Sequence, residues 1–79
     1  MKRITNDEAK IRQREFGRNL CAERNRLGLS QEGLGTIIGI EGTYIGRIER
    51  GEINPTLTTI VAILKALDLP FEALCNYKK

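Results

Sequence analysis

The sequence predicts an all-α fold, and three observations carry that reading. Apolar residues recur at spacings of three and four along much of the chain. No stretch of useful length alternates as a strand would. Helix-starting residues (Thr5, Ser30, Thr56) precede the apolar stretches, and Gly28, Gly39 and Gly51 follow them. The 79 residues allow one domain, 1–79. A domain this small buries about 60% of its unfolded surface, so its helices must pack well or the chain must oligomerise.

The pattern predicts five helices. The first runs from Thr5 to Leu27, with Thr5 and Glu8 placed as a capping box. Phe16, Leu20 and Leu27 form its inward stripe, which Arg24 shares; a charge there needs a partner. Residues 1–10 are either the start of this helix or a basic arm. Ser30 caps a short second helix carrying Leu34, Ile37 and Ile38 and ending at Gly39. A third extends from about Glu41 to Arg50, with Ile45 and Ile48 inward and Gly51 at its end. Thr56 caps the fourth, where Leu57, Ile60, Ile63, Leu64 and Leu67 recur at helical spacing. After Asp68-Leu69-Pro70, a short fifth helix is expected from Phe71 to Tyr77.

Composition excludes several functions. Cys21 and Cys75 are the two cysteines and there is no His, so a zinc site and a metal cofactor are not expected. No nucleophile–base pair or phosphate-cradling glycine loop suggests an enzyme, and no small-molecule ligand is indicated. The longest apolar run, Ile60 to Leu64, falls far short of the roughly 20 residues of a membrane span. Two isolated cysteines and no secretion signal point to the cytoplasm. The net charge of +3 permits nucleic-acid binding. Residues 1–26 carry eight Lys and Arg against four Asp and Glu, which a solvated helix face explains as well as a phosphate track does.

The second and third helices hold the most informative spacing. A turn at Gly39 joins two short helices that must cross steeply. Gly35 permits close approach, and Leu34, Ile40, Ile45 and Ile48 fill the angle. This leaves Gly42, Thr43, Tyr44, Arg47 and Arg50 on the outer side of the third helix. An exposed helix with Thr, Tyr and two Arg suits the major groove, where Arg reads guanine O6 and N7. A short helical corner in some other bundle is the plain alternative. A cation in the last turn of any helix also answers the helix dipole, so Arg50 has two explanations.

From Phe16 to Leu74, about three quarters of the chain, the sequence resembles the phage-repressor-like, xenobiotic-response-element-type helix-turn-helix family. Leu29-Ser30-Gln31-Glu32-Gly33-Leu34-Gly35 is similar to its LSQEELA signature. Ile45-Gly46-Arg47-Ile48-Glu49-Arg50-Gly51 is similar to ISRIERG. Asn54-Pro55-Thr56-Leu57 with Ala66-Leu67-Asp68-Leu69 completes the set in order. Within the family, Thr43-Tyr44-Ile45-Gly46 and Glu49-Arg50-Gly51-Glu52 most resemble the small controller proteins of restriction–modification systems.

The resemblance implies a five-helix DNA-binding domain and a role for each matching residue. Ser30 and Gln31 would hold a DNA phosphate. Thr43 and Arg47 would face base edges, and Tyr44 and Arg50 would touch backbone or flanking bases. Gly42 occupies the first base-reading position, where a longer polar side chain is common, so readout shifts to Arg47 and Thr43. Glu49 would pair with Arg24 and lock the first helix to the third.

The fourth helix and the tail offer more apolar surface than one small core requires. Val61, Leu64, Phe71, Leu74 and Tyr77 are therefore expected at a twofold homodimer interface, which would present two recognition helices about 34 Å apart to a palindromic operator in double-stranded DNA. Ordinary core packing is the simpler account of the same residues. A protein-interaction adaptor or antitoxin-like module on the same fold is the rival function.

Overall fold

In the computed structural model, which describes residues 1–76, a hydroxyl side chain starts three of the four α-helices. Thr5 Oγ1 accepts from the Glu8 N–H at 3.1 Å and opens α1, Asn6–Arg26. Ser30 Oγ accepts from the Gly33 N–H at 2.8 Å and opens α2, Gln31–Ile38. Thr56 Oγ1 accepts from the Thr59 N–H at 3.2 Å and opens α4, Leu57–Leu67. In each case an oxygen satisfies a backbone donor that has no carbonyl partner within the helix.

Helix α3, Gly42–Glu49, starts differently: Glu41 is its cap residue but makes no side-chain capping bond. Backbone geometry sets its start instead. Gly39 takes φ of +80°, which glycine adopts without steric cost, and the Ile40 N–H donates to the Gly35 carbonyl at 2.8 Å. A Cβ on Gly35 would collide with the Ile40 carbonyl oxygen and reach within 3.1 Å of the Gly42 nitrogen. The turn therefore rests directly on α2.

Each helix contributes to one buried cluster: Phe16 and Leu20 from α1, Leu34 from α2, Ile45 and Ile48 from α3, and Ile63 and Leu67 from α4. Leu74 completes it from the tail. A fully buried aliphatic side chain stabilises a fold by about 1.5–3 kcal/mol, so these positions hold α3 firmly to the body.

Three expectations need correction. The fifth helix is a single 3₁₀ turn, Phe71–Ala73, leaving four α-helices among the described residues. The Phe71 oxygen accepts from the N–H groups of Leu74 and Cys75 as in a helical turn, whereas the Leu74 oxygen, just after it, accepts from Asn19 Nδ2 at 3.0 Å. Leu27 is exposed at the end of α1 instead of continuing its inward stripe, because the helix stops there and Gly28 turns the chain. Ile37 and Leu57 likewise face outward from their short helices.

Candidate nucleic-acid interface

The orientation of α3 follows from which of its residues are buried. Ile45 and Ile48 are buried, so Thr43, Arg47 and Arg50 are exposed on the other side. Tyr44 lies between the two faces, half-buried and packed against the core cluster. Ser30 is exposed at the start of α2, where its oxygen already serves as the helix cap.

Gly42 requires a correction. It is not an open position on the outer face: a Cβ there would lie 2.8 Å from both the nitrogen and the Cα of Glu32. The first residue of α3 thus rests on the first turn of α2, and a longer side chain would force the two helices apart. Glycine at this site is explained by helix contact.

Below this face lies the ion pair of Arg24 and Glu49, 7% and 8% exposed. Arg24 Nε donates to Glu49 Oε2 at 2.7 Å, and Nη2 donates to Oε1 at 3.1 Å. Arg24 Nη1 also donates to the Leu29 carbonyl at 2.6 Å, tying the α1–α2 connection to the same group. No buried side-chain nitrogen or oxygen among the described residues lacks a partner. Burial pushes the Glu49 carboxyl up, but hydrogen bonds from Arg24 and Gln31 together with the Arg24 charge outweigh it. The net result is a carboxyl held below its ordinary range.

Gln31 joins this network. Its Nε2 donates to Glu49 Oε1 at 3.1 Å, so the side chain expected to meet a phosphate is turned toward the protein. Its amide lies over Gly46, where a Cβ would come within 3.1 Å of both Gln31 Oε1 and Arg50 Nη1. Gly46 thus leaves a notch through which Gln31 reaches the buried pair and along which Arg50 lies.

Two residues outside the expected set shape the site. Gly17, inside α1, has no room for a Cβ beside the carbonyl oxygens of Ile48 and Glu49, so α1 touches the end of α3 backbone to backbone. The signal was a glycine inside a helical stretch between Phe16 and Leu20, which is costly unless it serves packing. Glu52 lies beside both arginines: its carboxylate meets Arg50 Nε at 2.6 Å and Arg47 Nε at 3.8 Å. The hydrogen bond from Arg50 holds the Glu52 carboxyl below its usual range. An acid two residues beyond Arg50, across a helix-ending glycine, was its sequence signal.

The expected dimer residues separate. Val61 and Phe71 are 53% and 47% exposed, and Leu64 is half-buried against the core. Leu74 is 0% exposed, which corrects its assignment to an interface: its side chain is already enclosed by its own chain. Tyr77 lies outside the described residues. Cys21 and Cys75 are half-buried and unpaired as thiols. Among the described residues, no cluster of His, Cys, Asp or Glu suits a metal, and no helix is long and apolar enough to cross a membrane.

Residues 22–74 match the helix-turn-helix family. Over 50 residues the chain is 48% identical to the control protein C.SmaI of Serratia marcescens, covering 63% of this chain and 60% of that protein. The chain thus spans less than two thirds of that relative's length. The restriction-modification controller protein C.AhdI from Aeromonas hydrophila superimposes with a TM-score of 0.75 at 37% identity, covering 78% of this chain and 94% of the other. The P22 c2 repressor, solved with a synthetic operator, gives 0.72 at 30% identity, covering 77% and 92%.

Proposed function

The chain belongs to the helix-turn-helix family, and from that membership we propose that it is a sequence-specific regulator of transcription that reads double-stranded DNA with α3. It acts in the cytoplasm as a homodimer on a palindromic operator, without catalysis, in the manner of a restriction–modification controller. The observation that carries this is the division of α3: Ile45 and Ile48 are buried while Thr43, Arg47 and Arg50 are exposed. An anchored helix with a free polar face meets the requirement for reading base edges. Thr43 and Arg47 take the base edges, Tyr44 and Arg50 the flanking backbone. Ser30 and the first N–H groups of α2 take a phosphate. The similarity to two restriction–modification controllers supports the narrower role.

Exposed Val61 and Phe71, with half-buried Leu64, supply the dimer surface. Selection of bound duplexes from a random library tests the proposal. A palindromic consensus is expected, with affinity falling by about 0.9 log units per log unit of salt for each phosphate engaged. Failure to enrich any duplex would favour the adaptor role, and a consensus without twofold symmetry would remove the homodimer.

A further inference from the structure

Glu52 occupies its position for backbone reasons, which makes its side chain informative. Gly51 takes φ of +73° and the chain reverses, so that the Glu52 N–H donates to the Arg47 carbonyl at 3.0 Å. The turn cannot drift inward, since a Cβ on Gly51 would lie 2.7 Å from Arg14 Cγ. Any residue at 52 would therefore lie against the last turn of α3. This one is a carboxylate, and it accepts from Arg50 Nε at 2.6 Å and from Nη2 at 3.5 Å, with Arg47 Nε 3.8 Å away.

Resting on the DNA-reading function above, we infer that Glu52 limits the affinity of this surface by withholding Arg50 from the duplex backbone. A carboxylate and a phosphate oxygen compete for the same guanidinium hydrogen bonds. The exposed Arg50–Glu52 pair is weak enough to open, yet a phosphate must displace Glu52 before it gains Arg50. While the pair is closed, the protein engages one phosphate fewer than its exposed arginines permit. Glu52 also places a negative charge beside Arg47, which lowers the field that draws any duplex to the face.

Duplex binding by the full chain, measured across a salt series on one random-sequence duplex, tests this with Glu52→Gln, Arg50→Gln and the double variant. Glu52→Gln is expected to raise affinity about two- to fivefold at low salt. It should also steepen the log–log salt dependence by about 0.9, the contribution of one added phosphate contact. In the Arg50→Gln background most of the gain should vanish, leaving only the smaller field effect beside Arg47. A gain of equal size in both backgrounds would show a general charge effect and overturn the withholding of Arg50. No gain, or a loss, would overturn it as well, while wild-type binding left the DNA-reading function standing. If the wild type binds no duplex at any salt, that function fails and this inference falls with it.

Discussion

The Cα of Gly17 lies so close to Glu49 that a Cβ on it would stand 2.7 Å from the Glu49 carbonyl carbon. Helix α1 therefore sets the position of the last turn of α3, and the exposed arginines stand on that turn. Gly17→Ala is expected to destabilise the fold by about 1–3 kcal/mol through overpacking. For a domain of this size each kcal/mol lowers Tm by about 4–8 °C, which circular dichroism would register. An unchanged Tm would mean that α1 can slide without cost.

Glu49→Ala leaves the Arg24 guanidinium enclosed without its carboxylate. A loss of about 3–5 kcal/mol is expected from breaking a buried pair by removing one partner. Denaturant titration of both proteins checks it. Equal midpoints would show that the enclosed pair adds nothing over a cavity.

The same pair makes a pH prediction. Glu49 titrates below its ordinary value of 4.5 in the folded chain, so the folded state binds its proton more weakly than the unfolded state. Its stabilising contribution is complete above the unfolded value and is lost as pH falls through the folded one. The stability gap between wild type and Glu49→Ala should hold steady from neutral pH down to about 5 and then narrow. A gap that widens on acidification would contradict the assignment.

Arg47→Ala removes a side chain that is more than half exposed and whose nearest ion partner is 3.8 Å away, so the melting curve should not change. Binding to the selected operator should weaken by about 1–3 kcal/mol, and sequence preference should relax at the contacted base pair. Fluorescence anisotropy with the operator and single-base variants measures both. Uniform weakening across all variants would place Arg47 on a phosphate.

Gly42→Ala tests the angle between α2 and α3. Its methyl group would meet the backbone of Glu32, with a cost of about 1–3 kcal/mol in stability. Operator affinity should fall too, because the start of α3 moves away from the start of α2. Full affinity with an unshifted melting curve would show that the corner tolerates a side chain at this position.

Much of the fold was legible because the relevant chemistry is local. Thr5, Ser30 and Thr56 start helices with their own hydroxyls, and Ile45 and Ile48 share a helix face by spacing alone. The tail was less legible. Phe71 to Leu74 has helical spacing, but Asn19, fifty-five residues before Leu74, takes the Leu74 carbonyl. Leu74 and Val61 are both apolar residues near the C-terminal end, yet one is enclosed and the other exposed. That difference depends on which helix lies over each, and periodicity does not report it.

The sequence alone carried the hydroxyl caps that start α1, α2 and α4 and the aliphatic and polar sides of α3, while adding a fifth helix the tail does not form, since caps and periodicity act within a few residues. Only the tertiary structure decided what α3 rests on and what restrains its arginines. Gly17 meets the end of α3, Gly42 meets α2, Gln31 turns inward to Glu49, and Glu52 folds back onto Arg50. Backbone approach across helices and competition among charged groups depend on distances in space, which separation along the chain does not encode.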